Sequence, residues 1–256
     1  MNAPHISLTG DVRVELPGRP IAGGSPALRS LQARTVLAVL VLERPRPVRR
    51  DELAEVLWPD DRPASWESVL RTAVARVRTA LAEAGLDPRT TIRAAFGCYQ
   101  MHLPDETVVD IERAATDVES AGNLPVTEAA RLLARATRVT RLPLLPESDG
   151  EWVTRHRAGL RTIHARGLRA LCAVEIAAGR IGEATAAAVE LADLDQFDES
   201  AHRLLLTTLA ENGNRAQALL TYERFRVLLA TELGIAPSPE TQAAYLDLLN
   251  LEQVSA

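Results

Sequence analysis

The apolar residues of "ASWESVLRTAVARVRTAL" (residues 64–81) recur at helical spacing, and the stretch lies between two blocks of strand-like alternation. At about 100° per residue, Val69, Leu70, Val74, Val77 and Leu81 fall on one side, with Trp66, Ala73 and Ala80 beside them. The opposite side carries Ser68, Arg71, Thr72, Ala75, Arg76, Arg78 and Thr79. A solvated helix face ordinarily mixes Glu with Arg at i,i+4. Here Glu67 and Glu83 stand only at the ends, and small residues separate the arginines between them. Small side chains permit close approach to another surface, and the arginines suit an anionic one.

The neighbouring segments supply a setting for this helix. "ISLTG" and "DVRVELPG" alternate apolar and polar residues and break at Gly and Pro before "RPIAGG", which predicts short antiparallel strands. "LRSLQARTVLAVLVLE" predicts a long apolar helix ended by Pro45 and Pro47. Val48 leads into "RRDELAEVLW", a two-turn helix with Asp51 and Glu52 at its positive end. "PDDRPA" interrupts, Ser65 is placed as an N-cap, and the next helix runs to Gly85. "TTIRA" and "CYQMHL", around Ala95-Phe96-Gly97, predict a hairpin. Sheet, three helices and hairpin in this order predict a winged helix: its third helix would enter the major groove, and its hairpin would lie along the backbone or the neighbouring minor groove. The stretch joining the second and third helices is longer than a simple helix-turn-helix turn.

From about residue 107 no strand pattern is expected. "VVDIERAATDVESAG", "PVTEAARLLARATRV" and "EWVTRHRAGLRTIHARGLRALCAVEIAAG" are helical periods separated by Gly, Asn and Pro. "AVEIAAGRIGEATAAAVELA" superposes on "LLTTLAENGNRAQALLTYER" with a shift of 34, placing Gly179 on Gly213 and Ala184 on Ala218. That is the tetratricopeptide period, with Gly at the inter-helix turn and Ala where two helices cross closely. Tyr222, Phe225 and "LATELGIAPSPET" complete a second repeat and lead into "ETQAAYLDLLNLE". The expected architecture is mainly α: a winged helix over 1–103, then an all-helical tetratricopeptide-like domain over 104–256.

Charge agrees with this division. All 29 basic residues are Arg. Residues 1–103 hold 14 Arg against 11 Asp and Glu, whereas 104–256 hold 15 against 23. The N-terminal part can tolerate DNA, and the acidic C-terminal part cannot be wrapped by it. No stretch approaches the roughly 18 apolar residues of a membrane span, and "MNAPHISLTG" has no signal-like core, so a cytoplasmic protein away from the membrane is expected. Cys98 and Cys172 form no CxxC motif and read as reduced thiols. His5, His102, His156, His164 and His202 show no HExxH spacing, and GxxxxGK[ST] and GxSxG are missing. Asp149-Gly150-Glu151 is a loop acid pair without a recognisable cleft. No enzyme activity, metal or cofactor is expected.

The run "LQARTVLAVLVLERPRPVRRDELAEVLWPDDRPASWESVLRTAVARVRTALAEAGL" with "FGCYQMHLP" resembles the OmpR-type winged helix of the SARP family, the Streptomyces antibiotic regulatory proteins. "DIERA" through "GEWVTRHR", with "FDESAHRLLLTTLAENGNRAQALLTYERFRVLLATELGIAPSPET", resembles the bacterial transcriptional activator domain that follows it in that family. The resemblance covers nearly the whole chain. It implies a DNA-binding activator of secondary-metabolite genes, dimeric on double-stranded promoter DNA. It further implies contact with RNA polymerase, through sigma factor and alpha subunit. No receiver domain before residue 1 and no nucleotide-binding domain after 256 are recognisable, which leads to an expectation of the short form of the family.

Mapped onto this sequence, the family pattern puts Arg76 at the base-reading position, Arg71 and Thr72 with Ser68 in the groove-facing N-terminal half, and Arg78 on phosphate; the rival reading pairs Arg71 and Arg78 with Glu67 or Glu83 as solvated surface charges. The loop Pro59, Asp60, Asp61 and Arg62 takes the polymerase-contacting place. The family's Gly-Tyr wing pair corresponds to Gly97-Cys98-Tyr99 with one residue inserted, which implies a DNA contact for Tyr99, and Gln100 stands where many relatives have Arg. Arg93 on the first wing strand can substitute for that Arg. Arg49 and Arg50 lie where the second helix would cross the backbone, as phosphate contacts or as a solvated linker. Trp58 and Trp66 read as core packing around the loop. A second reading stays open: a tetratricopeptide adaptor whose winged helix binds protein, not DNA.

Overall fold

The computed structural model describes residues 3–16, 25–44 and 46–250. "RPIAGG" and Pro45 lie outside these. The chain divides into two compact units, residues 1–115 with 138–160, and residues 116–137 with 161–256.

The first unit opens with β1 (His5–Ser7) and β2 (Arg13–Glu15), paired antiparallel with Ile6 opposite Val14, both buried. The long apolar helix starts later than its sequence pattern suggests. Pro26–Arg29 form a 3-10 turn, and Ser30, in an extended conformation, accepts from the Ala33 amide and caps α1 (Leu31–Leu42). A Ser side chain competes with the helix for backbone partners, and here it wins the position as a cap. α1 buries Val36 to Val41 without interruption and forms the centre of the core.

β3 (Val48–Arg49) and α2 (Arg50–Leu57) follow, then α3 (Trp66–Glu83), α4 (Pro88–Thr91), β4 (Ile92–Ala95) and β5 (Cys98–Met101). The wing is a three-stranded sheet in the order β3-β5-β4, not a bare hairpin, because Val48 pairs with Tyr99 and Arg49 with Cys98. Thr90 and Thr91, expected in the first wing strand, finish the turn of α4 that Asp87 caps through the Arg89 amide. Ser65 stands at the N-cap of α3, but its side chain makes no capping bond. Its amide-side neighbours instead close tighter turns, with Trp66 donating to the Pro63 carbonyl and Ser68 to that of Ser65. At the other end Gly85, at φ +77°, donates to Ala82 and Leu86 to Leu81, so two terminal carbonyls are satisfied by a Schellman closure.

A strand past residue 107 was not expected, yet β6 (Val108–Val109) pairs parallel to β1. Two residues are too short to show alternation. Asp110 fixes the strand end: its carboxylate accepts from the Leu8 and Thr9 amides and the Thr9 hydroxyl. It also begins α5 (Asp110–Ser120).

Residues 138–160 complete this unit, so compactness does not divide the chain at 103/104. Leu144, Leu145, Val153 and Leu160 enter the same core as α1 and α3. Leu145 adopts φ +45°. Arg157 holds that turn by donating to the carbonyls of Leu144, Leu145 and Ser148.

The second unit is all helical. α6 (Val126–Thr140) and α7 (Glu151–Ala177) contribute their 126–137 and 161–177 parts, followed by α8 (Ile181–Leu194), α9 (Glu199–Glu211), α10 (Arg215–Glu232) and α11 (Pro239–Asn250). The 34-residue period is realised atom for atom at the turns. Gly179 (φ +71°) donates to Ile176 and Arg180 to Glu175; Gly213 (φ +77°) donates to Ala210 and Asn214 to Leu209. Ala184 and Ala218 are both fully buried where the following helices cross their neighbours. Tyr222 stacks on Tyr245 and Phe225 on His202, closing the second repeat against α9 and α11.

Candidate nucleic-acid interface

α3 places its two faces as its sequence requires. Leu70, Ala73, Val74, Val77, Ala80 and Leu81 are buried, while Ser68, Arg71, Thr72, Ala75, Arg76 and Thr79 are exposed. Across this outward face the hydroxyls of Thr72 and Thr79 donate back to the Ser68 and Ala75 carbonyls, leaving their lone pairs outward. Arg71 reaches Glu67 at 3.6 Å, an exposed i,i+4 pair of the kind that contributes little and is readily exchanged. Arg76 has no acidic or hydrogen-bonding side-chain partner among the described residues.

Arg78 is turned away from this face. It is half-buried and donates to the Ile92 carbonyl at 3.0 Å, spanning from the helix to the wing. Its Nε is buried without a partner. On the wing, Arg93 is exposed and, among the described residues, unpaired. Gln100 lies opposite it on β5. Tyr99 is not a surface residue: strand alternation puts it with Ile92 and Met101 on the core face, 4% exposed. The expectation that Tyr99 touches a ligand directly is corrected by this burial. Its ring instead sits under the guanidinium of Arg50, 5.5 Å from the centroid.

Arg49 and Arg50 differ in their surroundings. Arg50 is half-buried with an unpartnered Nε, and its amide donates to the Gly97 carbonyl, tying the start of α2 to the wing tip. Arg49 is exposed and donates to Glu52 at 3.0 Å. Glu52 also receives Arg46 at 2.8 Å, and that hydrogen bond, outweighing partial burial, holds its carboxyl below the usual range. Arg46 in turn reaches Glu43, which accepts from the Trp152 indole at 2.7 Å. Arg49 is therefore the end of a charge network.

Pro59, Asp60, Asp61 and Arg62 are all exposed on the eight-residue connection before α3. Arg62 pairs with Asp51 at 3.1 Å and lies over the Trp66 ring, 4.8 Å from its centroid. Trp66 packs on the core, as its sequence position suggests. Asp60 and Asp61 have no ion-pair partner among the described residues.

Two features of this surface escaped sequence reading. Arg89 on α4 is exposed, unpaired among the described residues, and shares a shallow groove with Arg78 and Arg93. Its one signal is the cap-and-proline start "DPRT", which marks a helical turn but not its direction. Phe96, at the wing tip, is fully exposed with φ +49°. Among the described residues no group of three or more His, Cys, Asp or Glu side chains is placed to hold a metal ion.

Comparison with known proteins agrees with this architecture. Residues 26–97 match the family model "Transcriptional regulatory protein, C terminal", and residues 108–249 match "Bacterial transcriptional activator domain". The chain belongs to the SARP family of transcriptional regulators. Among family members, the transcriptional regulatory protein EmbR of Mycobacterium tuberculosis is 30% identical over 98% of this chain and 64% of its own length. The regulatory protein AfsR of Streptomyces coelicolor is 28% identical over 99% of this chain and 25% of its own. A solved structure of Mycobacterium tuberculosis EmbR in complex with a low affinity phosphopeptide superposes with a TM-score of 0.80 at 28% identity. It matches 98% of this chain and 66% of that one. This SARP-family chain thus spans a little under two thirds of the length of EmbR.

Proposed function

We propose that this chain is a sequence-specific DNA-binding transcriptional activator. The observation that carries the reading is the outward face of α3: exposed, free of acids between Glu67 and Glu83, with Arg76 unpaired among the described residues. Residues 1–103 act as the reading module and 104–256 as the activator module. α3 enters the major groove, where Arg76 reads a base edge, Ser68, Arg71 and Thr72 fix its N-terminal half, and Arg49, Arg50, Arg89 and Arg93 take phosphates. Arg78 positions the wing relative to the helix. The loop Pro59 to Arg62 offers free acids to RNA polymerase, with sigma factor and alpha subunit as its contacts. A homodimer on repeated half-sites, promoters of secondary-metabolite genes and a cytoplasmic location complete the reading, and no described helix is long and apolar enough to cross a membrane.

The test is fluorescence anisotropy on duplexes from the upstream regions of neighbouring genes, with shuffled duplexes as control. Selective binding that weakens by orders of magnitude across roughly 50–200 mM salt is expected. Arg76→Ala should lose about 1–3 kcal/mol of discrimination while retaining most affinity for random DNA. Equal weakening on both duplexes sinks the base-reading role. Salt-insensitive capture of a protein with no DNA binding favours the adaptor.

A further inference from the structure

We propose that Phe96 is an apolar wedge that enters the minor groove beside the α3 site and stacks on a base step opened there. The inference rests on the DNA-binding reading above and adds a residue and a DNA deformation to it.

Phe96 and Gly97 form the two-residue connection between Ala95 and Cys98, with φ +49° and +74°. Two successive positive φ angles make a type I′ turn, which Asn-Gly or Asp-Gly satisfies at least cost. A phenylalanine there is strained, because its Cβ crowds the backbone in the left-handed region. Packing does not offset that strain: the side chain is 103% exposed, the only aromatic among the exposed large hydrophobics of the described residues. An aromatic held in a costly conformation and fully in water has its use outside the folded chain.

The tip is held rigidly for such a use. The Gly97 carbonyl accepts from the Arg50 amide at 3.0 Å, and the Cys98 thiol donates to the Phe96 carbonyl at 3.7 Å. β5 is paired on both sides, so the tip projects from a sheet and not from a loop. Its chemistry points to nucleic acid over protein. Ala94, Ala95 and Gly97 flank the ring in sequence with almost no bulk, and no acid occurs from residue 88 to 104. The charged residues around the tip are Arg93 and Arg89 along the chain and Arg49 and Arg50 across from Cys98 and Gly97. Small residues let the backbone approach phosphates, and cations draw the tip to the narrow, negative groove. A single ring flanked only by small residues makes a poor protein docking patch but a complete wedge. Apolar side chains inserted at a base step unstack it and kink the duplex by roughly 20–90°.

The decisive variant is Phe96→Asn, which keeps the turn and should melt no lower than wild type. Affinity for the selected duplex is read by anisotropy, and the bend by energy transfer between dyes on the duplex ends. Wild type should bend the duplex; Phe96→Asn should bind the same sequence about tenfold more weakly and leave it straight. Arg76→Ala should lose site choice yet still bend what it binds. Unchanged affinity and bend in Phe96→Asn overturn the wedge, and they do so equally if transcription alone falls, since the ring then meets a protein. Failure of wild type to bind any duplex removes the DNA-binding reading itself, and the wedge with it.

Discussion

The guanidinium of Arg78, on α3, donates to the Ile92 carbonyl at the start of β4, 3.0 Å away. One side chain thus joins the helix that faces outward to the wing that carries Arg93 and Phe96. Arg78→Ala removes a charged donor from a half-buried carbonyl, which should destabilise the first unit by about 1–3 kcal/mol. Hydrogen exchange of the wing amides over 92–101 should accelerate. Affinity should fall alike on selected and random duplexes, because the lost feature is wing placement and not base reading. A loss confined to the selected sequence would assign Arg78 to the bases instead.

How much of this was legible beforehand depends on the length of the signal. The 18 residues of α3 show their period plainly, and all six residues that α3 buries were on the stripe read from the sequence. The 34-residue shift located two turns whose hydrogen bonds prove identical. β3 and β6, at two residues each, carry no period at all; their placement goes with the burial of Val48 and Val109 in the core of the first unit. The return of residues 138–160 to the first core was equally hidden, since "PLLPESDG" is only a short apolar run with turn residues. Site residues were harder than elements. Periodicity puts Arg78 outward, but a long side chain can fold back to a carbonyl, and Tyr99 is a core residue by strand alternation despite its place in the wing motif.

Gly179 and Gly213 allow the repeat to be tested as physics. Both have left-handed φ, and a Cβ at either position would meet nothing within 4 Å. Substitution by Ala therefore carries only the conformational cost, about 1–2 kcal/mol each. The two losses should match within error in urea denaturation and add in the double variant, with Asn costing less than Ala at both sites. A large difference between them would break the equivalence of the two turns.

His202 makes the second unit sensitive to acid. Its ring stacks on Phe225 at 3.9 Å, Nε2 donates to the Gln196 carbonyl at 3.2 Å, and Nδ1 is buried without a partner. Burial pushes its pKa below the ordinary 6.5, outweighing the Gln196 hydrogen bond and the carboxylates of Asp198, Asp193 and Asp195. A base with a depressed folded pKa binds its proton more readily when unfolded. Its contribution to stability is thus complete above pH 6.5 and declines as pH falls from there through the folded value. Urea midpoints measured between pH 8 and pH 5 should drop for wild type. His202→Gln should flatten the part of that slope nearest pH 6; an unchanged slope would move the titration to another group.

The loop acids separate DNA binding from activation. Asp60 and Asp61 stand exposed, and among the described residues no cation neutralises them, whereas Asp51 nearby is taken by Arg62. Burial does not explain them and they cap no helix, so their removal should leave folding unchanged within about 0.5 kcal/mol. As exposed negative charges on the connection that leads into α3 they oppose phosphate, so Asp60→Asn with Asp61→Asn should hold or slightly strengthen affinity for the duplex, most at low salt. A polymerase contact made by these acids predicts the opposite for transcription: run-off transcript from the bound promoter should fall severalfold at saturating protein. If transcript and affinity rise together, the acids only tune DNA binding, and the polymerase contact lies elsewhere on the chain.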